Sequence, residues 1–226
     1  MAGRNDIEMP EGGKSVGNEK VSTFLKNVYD AQNTCDLQEA YDAWSGKYEA
    51  HVTAFGYNIP AVAAGLFGKY VPTETTPILD AGAGTGMMGG ILDALGYQGQ
   101  VGIDISPGML EKAGERNVYE ELRRMVLGEA LDFPSDRFGA CQSIGVFTEG
   151  HAPAAAFDEL VRVLRPGGHI IFSILEDVSV QKGYGAKLEA LEENGKWRLV
   201  ERTKPFQGLP LECPHQLNRV YVYQVC

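Results

Sequence analysis

The sequence predicts an α/β fold, with a doubly wound, mostly parallel sheet, an antiparallel last strand and a helical N-terminal extension. From Pro77 onward, short apolar runs alternate with helical segments, which is typical of a parallel sheet with helices on both faces. Before Pro77, residues 20–70 carry apolar side chains at helical spacing. Two runs of alternating polarity, residues 197–203 and 217–226, close the chain and predict an antiparallel pair at the sheet edge.

Length and composition limit the classes of function. The chain has 226 residues, 44% of them hydrophobic, and a formal net charge of −10. This fits one soluble domain and disfavours nucleic-acid substrates relative to small or cationic ones. No apolar run approaches the roughly 20 residues of a membrane span. The four cysteines are widely spaced, so we expect a cytoplasmic protein without metal or membrane contact, in which Cys141 is a buried free thiol.

The N-terminal part is predicted to contain a tail and several helices. Residues 1–20 are polar and have little to bury, which predicts a disordered tail. Residues 21–226 are predicted to form a single domain, whose first part, residues 21–70, is a helical extension. Within it, residues 36–57 predict one helix that Asp36 caps. A further helix is expected from residue 60 to about residue 70, because Pro60 suits a first helical turn.

The central part, residues 77–175, is predicted to be the core of the sheet, and residues 176–226 to add a helix and the antiparallel edge strands. In a doubly wound sheet a ligand lies beyond the carboxyl ends of the strands, so the loops that follow the strands are the expected binding site. Strands are predicted at residues 78–79, 101–105, 123–127, 140–146 and 169–175, with helices at about residues 85–96, 107–119 and 153–164.

The run ILDAGAGTGMMGG, at the first predicted strand and the turn after it, carries two overlapping glycine patterns. One consists of Gly82, Gly84 and Gly86. The other joins Gly84 and Gly86 to Gly89 and matches the dinucleotide pattern G-x-G-x-x-G. Asp104 follows by about 20 residues, the spacing at which an acid after the second strand accepts ribose hydroxyls. Because this spacing fits both patterns, it does not choose between them.

The position of the glycines within the turn distinguishes between the two glycine patterns. A dinucleotide turn begins directly after its strand, whereas the Gly84 pattern begins well after Leu79. Counting from Gly82 instead places Met87 at the third glycine, where it would crowd a pyrophosphate. Asp80 at the strand end repels phosphate and attracts an ammonium group. A nucleoside with an amino-acid end and no phosphate fits these features, and S-adenosylmethionine is such a ligand. A nicotinamide-dependent oxidoreductase is the alternative.

Five sequence blocks, in order, resemble the class I S-adenosylmethionine-dependent methyltransferases. The resemblance covers about residues 41–175 and implies a Rossmann-like sheet of seven strands, with S-adenosylmethionine as cofactor and S-adenosylhomocysteine as product. The runs YDAWSGKYE and TEGHAP are most similar to the methyltransferase-like proteins of the Williams–Beuren region. The five blocks are ILDAGAGTG, VGIDISPGML, GEALDFP, FGACQSIGVF and AFDELVRVLRPGGHIIFSI.

The resemblance also assigns binding roles. It implies that Gly82, Gly84 and Gly86 line the cofactor, with Asp80 near its methionine end and Asp104 on its ribose. The remaining implied contacts are an adenine wall, a floor after the fourth strand and an aromatic lid. They comprise Ile105, Met109, Glu129 and Ala130 in the wall, Ile144 and Gly145 in the floor, and Tyr41, Trp44 and Tyr48 in the lid.

The loop after the fourth predicted strand carries the candidate catalytic residues. It lacks the N/D-P-P-Y/F signature of adenine- and glutamine-N-methylating relatives and contains Glu149 and His151 instead. Our hypothesis is that His151 deprotonates or orients the acceptor while Glu149 pairs with a cationic or hydroxyl group. The structural alternative is that His151 caps the next helix or fixes the loop.

The function predicted from the sequence is therefore methyl transfer to the nitrogen or oxygen of a small molecule. A protein methyltransferase, the oxidoreductase above and a non-enzymatic, cofactor-binding regulator are the alternatives. The acceptor and the oligomeric state are left open by the sequence.

Overall fold

A computed structural model describes residues 18–148 and 150–226. Its strands are β1 (Ile78–Ala81), β2 (Gln100–Asp104), β3 (Tyr119–Arg124), β4 (Phe138–Phe147), β5 (Leu164–Leu175), β6 (Trp197–Arg202), β7 (Phe206–Gln207) and β8 (Leu217–Val225). All eight belong to one sheet: seven follow the order β3-β2-β1-β4-β5-β8-β6, and the two-residue β7 pairs with β8. β1 to β5 run parallel, and β8 lies antiparallel between β5 and β6. The predicted fold class is confirmed.

Helices cover both faces of this sheet. They are α1 (Asn18–Tyr29), α2 (Thr34–Trp44), α3 (Tyr48–Ala54), α4 (Ile59–Tyr70), α5 (Met87–Ala94), α6 (Pro107–Glu115), α7 (Ala156–Val163), α8 (Glu176–Ser179) and α9 (Tyr184–Glu193). None of the helices in the two described stretches combines the length and the apolar character needed to cross a membrane.

Side chains alternate between two hydrophobic clusters, one on each face of the sheet, because successive residues of a strand point to opposite faces. In β1, Ile78 belongs to the cluster with α4 and α5, whereas Leu79 and Ala81 belong to the cluster with α7, α8 and α9. Cys141 lies in the cluster with α7, α8 and α9 and is a buried free thiol, as predicted. Both faces are covered, so ligands reach the sheet only at its ends.

The N-terminal helices differ from the prediction. The expected single helix over residues 36–57 is divided into α2 and α3, because Gly46 lies in the break and glycine has a low helix propensity. Asn33, not Asp36, caps α2: its side chain accepts hydrogen bonds from the backbone N–H groups of Cys35 and Asp36. Residues 18–20 of the predicted tail begin α1, and the rest of that tail lies outside the described residues.

The third strand also differs, since it begins and ends earlier than residues 123–127. β3 pairs with β2 from Tyr119 to Arg124, where Arg124 lies opposite Asp104. Its sequence, YEELRR, is polar and half-exposed because β3 is the edge strand, so it lacks the apolar run that marked the other strands. The apolar residues after it, Met125 to Leu127, turn toward the carboxyl end of β2 instead.

Candidate active site

The turn after β1 depends on three glycines. Gly82, Gly84 and Gly86 have φ values of +83°, +55° and +77°, which strain any residue with a side chain. The N–H of Gly82 donates to the carbonyl of Ile103 at 2.8 Å and so fixes the turn to the end of β2. A Cβ on Gly82 would lie 2.4 Å from Val146 Cγ2, whereas one on Gly84 would meet nothing within 4 Å. Gly82 thus permits close packing, and Gly84 leaves space beside the turn.

Gly89, the third glycine of the dinucleotide pattern, has a packing role. A Cβ at this position would lie 2.2 Å from Tyr119 Oη. The hydroxyl of Tyr119 donates to Asp80 Oδ2 at 2.6 Å. Gly89 therefore makes room for a side chain of β3, and the match to G-x-G-x-x-G has a structural cause.

Asp80 is a buried carboxyl at the end of β1. Burial raises its pKa to about 7, the hydrogen bond from Tyr119 opposes this shift, and the nearby charge of Asp104 adds to it. Asp80 lines a narrow cavity of about 40 Å³ together with Thr85. The Thr85 hydroxyl is buried there without a hydrogen-bond partner. A positively charged amine in this cavity fits both groups, because it neutralises the carboxylate and donates hydrogen bonds.

Asp104 lies at the end of β2, directly opposite the glycine turn. Its Oδ2 accepts the N–H of Gly84 at 2.8 Å, and its Oδ1 accepts the N–H of Ser106 at 2.9 Å. Burial raises the pKa of Asp104, and these backbone hydrogen bonds act in the opposite direction. A carboxylate has about four acceptor positions, so the two oxygens can also accept a pair of neighbouring hydroxyls, as a ribose presents.

A cavity of about 330 Å³ opens beside Asp104. Among the described residues that line it, Lys182 is the single lysine or arginine, so a phosphate would find little charge compensation there. The cavity brings together most of the site residues predicted from sequence: Tyr41, Tyr48, Gly82, Gly84, Asp104, Ile105, Met109, Ile144, Gly145 and His151.

Other predicted site residues lie elsewhere. Gly86 caps α5, and Asp80 faces the narrower cavity. Glu129 and Ala130 are exposed and do not line the 330 Å³ cavity. The wall expected from them is formed by residues 125–127, because Met125 donates its N–H to the carbonyl of Asp104 at 3.1 Å and the chain reaches the cavity earlier than predicted.

The three aromatic residues of the predicted lid are in contact. Tyr41 stacks on Trp44 with ring centroids 6.3 Å apart, and Tyr48 meets Trp44 edge-on at 4.9 Å. Trp44 is 2% exposed and donates its indole N–H to His51 Nδ1 at 2.9 Å. Tyr41 and Tyr48 line the 330 Å³ cavity, whereas Trp44 lines a second cavity of about 60 Å³, which we call the inner chamber.

His151 lies on the wall between the two cavities and lines both of them. Its Nε2 is 2.5 Å from Tyr41 Oη, and its Nδ1 is 2.7 Å from Thr148 Oγ1. The ring is thus oriented from both sides by hydroxyl groups. Glu149, the other candidate catalytic residue, lies outside the described residues.

Sequence reasoning missed Asp42, which connects α2 to the start of α6, directly after β2. Its Oδ1 accepts the hydroxyl of Ser106 at 2.5 Å and the N–H of Gly108 at 2.9 Å. Partial burial acts to raise the pKa of Asp42, but these two hydrogen bonds lower it below its ordinary value. The sequence shows Ser106 as the start of a helix, because Pro107 follows it, but gives no signal that its partner lies 64 residues earlier.

Comparison with known proteins identifies the family to which the chain is similar. Residues 79–172 match the model of a methyltransferase domain. The chain is 32% identical to methyltransferase-like protein 27 from Homo sapiens over 163 aligned residues. This alignment covers 70% of this chain and 66% of that protein. The chain is also 32% identical to a malonyl-[acyl-carrier protein] O-methyltransferase from Serratia marcescens, over 70% of this chain and 60% of that enzyme. The matches thus span about two thirds or less of these relatives.

A solved structure agrees with these sequence matches. The TehB-like SAM-dependent methyltransferase from Corynebacterium glutamicum superposes with a TM-score of 0.57 at 22% identity, covering 81% of this chain and 99% of that one. The predicted family is confirmed, and with it S-adenosylmethionine as the cofactor of that family. The chain belongs to the class I S-adenosylmethionine-dependent methyltransferases.

Proposed function

We propose that the protein binds S-adenosylmethionine on the glycine turn and transfers its methyl group to a small molecule. One observation carries this proposal, which is the charge around the glycine turn. Two carboxyl groups, Asp80 and Asp104, flank the turn, and among the described residues that line the 330 Å³ cavity beside it, Lys182 is the single lysine or arginine. This charge pattern suits a cationic nucleoside and opposes a dinucleotide with its pyrophosphate.

The proposed binding roles follow from where the side chains lie. Asp104 accepts the ribose hydroxyls, and Asp80 with Thr85 receives the ammonium group. Ile105 and the buried Met109 line the cavity beside Asp104, so we place the adenine ring against these two side chains. Burial of that apolar surface contributes to affinity.

When bound, the cofactor supplies a methyl group on a positively charged sulfur, which is already electrophilic. The protein therefore has to align the acceptor and exclude water. We assign His151 as the base. When the acceptor takes up that methyl group, the imidazole of His151 would receive the proton that the acceptor atom loses. Thr148 holds the ring through Nδ1, and because Tyr41 Oη is hydrogen-bonded to Nε2, the proton of the acceptor would reach Nε2 by way of the Tyr41 hydroxyl.

The cofactor assignment is tested by Asp104→Ala. Loss of two charged hydrogen bonds to the ribose is expected to weaken binding of S-adenosylhomocysteine by at least roughly tenfold, as measured by isothermal titration calorimetry. Asp132→Ala is the matched control, because its carboxylate is 96% exposed and the charge change is the same. Equal affinity of both variants and the parent would refute the assignment.

The catalytic assignment is tested by His151→Ala. The protein is incubated with labelled S-adenosylmethionine and a protein-free metabolite extract, and the methylated product is identified by mass spectrometry. We expect turnover of that product to fall by roughly 10²-fold or more in the variant, with cofactor affinity retained. Unchanged turnover across the pH range would remove His151 from the mechanism. If the label is transferred to no metabolite, and is transferred only when a protein is added as the acceptor, a small-molecule acceptor is contradicted.

A further inference from the structure

We infer that the ammonium group of the cofactor takes the place of a proton on Asp80, so that cofactor binding releases a proton and weakens in acid. This inference rests on the proposed function, because it concerns how that same site responds to pH. It is carried by the burial of Asp80, by the groups that face its carboxyl and by the narrow cavity beside it.

The carboxyl group of Asp80 is enclosed by the sheet. Asp80 is 2% exposed, and in the sheet register it lies between Gly102 of β2 and Gln142 of β4. Tyr119 of β3 donates its hydroxyl to Oδ2 at 2.6 Å. The charge that acts on this carboxyl is that of Asp104, which has the same sign. Asp80 is thus a buried acid that has a neutral hydrogen-bond donor and a second acid as neighbours.

These surroundings favour the protonated form of Asp80. Burial takes the carboxylate out of water, and a second carboxylate nearby repels it. Burial raises the pKa of Asp80 to about 7, the Tyr119 hydrogen bond acts in the opposite direction, and the charge of Asp104 adds to the rise. Without cofactor, about half of the molecules therefore carry this proton at pH 7.

The other acidic groups around Asp80, apart from Asp104, are neutral near pH 7. Burial raises the pKa of each above its ordinary value, so they do not ionise in the range where Asp80 titrates. These groups are Tyr119 of β3, Cys141 of β4, Tyr48 of α3 and Tyr57, which precedes α4. From α6, the positive charge of Arg116 acts on Tyr119.

Asp104 differs from Asp80 in what it is proposed to bind. Its oxygens accept the N–H groups of Gly84 and Ser106, and the ribose that we place on it offers neutral hydroxyls. A hydroxyl does not replace a proton, whereas an ammonium group brings a positive charge to the carboxylate. The exchange of a proton for a cation is therefore expected at Asp80.

The cavity beside Asp80 has the size that this exchange requires. Asp80 and Thr85 line it, and its volume is about 40 Å³, which corresponds to space for roughly two or three water-sized groups. An ammonium group and the carbon that carries it are of this size. Because the cation enters as the proton leaves to solvent, the charge of the buried site is the same before and after binding.

Titration calorimetry with S-adenosylhomocysteine tests the inference, in pairs of buffers that differ in ionisation enthalpy. We expect the dissociation constant to rise about tenfold from pH 8 to pH 6, and binding to release about half a proton at pH 7. The matched ligand is 5′-methylthioadenosine, which has the same adenosine thioether without the amino-acid end. We expect its affinity to change less than about twofold over this range.

Two results overturn the inference: an affinity for S-adenosylhomocysteine that is independent of pH, or the same proton release with 5′-methylthioadenosine. If S-adenosylhomocysteine binds at no pH in this range, the proposed function fails instead.

Substitutions assign the proton to Asp80. We expect Asp80→Asn to bind S-adenosylhomocysteine without proton release and with the same affinity at pH 6 and pH 8, within about twofold. Asp132→Asn is the matched control, because its carboxylate is 96% exposed, and it keeps the pH dependence of the parent. An Asp80→Asn protein that also keeps this dependence contradicts the inference.

The variant Tyr119→Phe provides a test that leaves Asp80 in place, should Asp80→Asn not fold. Its hydrogen bond holds the pKa of Asp80 down, so its loss raises that pKa further. We therefore expect the affinity for S-adenosylhomocysteine to begin to fall at a higher pH than in the parent. A pH profile of Tyr119→Phe that coincides with that of the parent, or is shifted to lower pH, contradicts the inference.

Discussion

Asp80, which we propose binds the ammonium group of the cofactor, is a carboxyl group in an unfavourable, buried environment. It is 2% exposed, its hydrogen-bond donor is Tyr119, and burial raises its pKa from 3.8 to about 7. The folded state therefore binds this proton more tightly than the unfolded chain does. As the pH rises from about 3.8 to about 7, the contribution of Asp80 to the free energy of unfolding becomes increasingly unfavourable, and above that range it is constant.

Asp80→Asn removes this titration while its amide oxygen can still accept the Tyr119 hydrogen bond. We expect the variant without cofactor to be more stable than the parent at about pH 8 by roughly 2 kcal/mol, a difference that shrinks as the pH falls toward 4. The same variant is expected to bind S-adenosylhomocysteine more weakly, because the ammonium group loses its counterion. Urea unfolding across this pH range measures the first effect. A stability difference independent of pH would contradict the assigned pKa.

Residues at the ends of strands could be predicted from sequence, whereas their long-range partners could not. Gly82, Gly84 and Asp104 were found because they follow apolar strands, where a doubly wound sheet places its ligand. Tyr119 was missed although it bonds Asp80 at 2.6 Å. It lies 39 residues from its partner on a polar edge strand, and no local pattern links the two. Asp42 escaped prediction for the same reason.

Two elements, α2 and α6, are joined by hydrogen bonds beside the cavity proposed for the cofactor. Asp42 on α2 accepts hydrogen bonds from Ser106 and Gly108 at the start of α6. Ser106 in turn donates its backbone N–H to Asp104. One chain of hydrogen bonds therefore runs from the lid helix to the carboxylate proposed to hold the ribose. We therefore expect the position of α2 to influence the orientation of Asp104.

The boundaries of elements were the least predictable part of the fold. The sequence predicted one helix over residues 36–57, opened by an Asp36 cap, where Gly46 separates two helices. The edge position of β3 removed the apolar signal on which the other strands depended. Both differences lie beside the site: the break ends the lid helix at Trp44, and the early end of β3 brings Met125 to the cavity in place of Glu129.

At the scale of the whole molecule, the protein has a core in two layers and a separate lid. Two hydrophobic clusters pack on the faces of the sheet, and a third belongs to the N-terminal helices, with Val28, Leu37 and Trp44 among its buried members. Because structural units with their own interior often exchange amide hydrogens as one unit, we expect the N-terminal helices to exchange at rates different from those of the sheet. The cavity proposed for the cofactor is lined by both parts, by Tyr41 and Tyr48 of the lid and by Gly82 and Asp104 at the ends of the strands.

This division predicts an uneven response to ligand. We expect S-adenosylhomocysteine to slow amide hydrogen exchange in α2, α3 and the glycine turn by at least roughly tenfold, while β5 and β8 keep their rates.

The substitution Asp42→Ala tests the link between α2 and α6. Without ligand, we expect this variant to exchange amide hydrogens faster in α2. We also expect its dissociation constant for S-adenosylhomocysteine to rise about fivefold or more, because two hydrogen bonds between the lid and α6 are lost. Glu39→Ala, an exposed carboxylate on the same helix, is the control and leaves both quantities unchanged. Slower exchange spread evenly over the sheet and the lid would mean that the two parts respond as one body, and the lid would then have no separate motion for Asp42 to restrain.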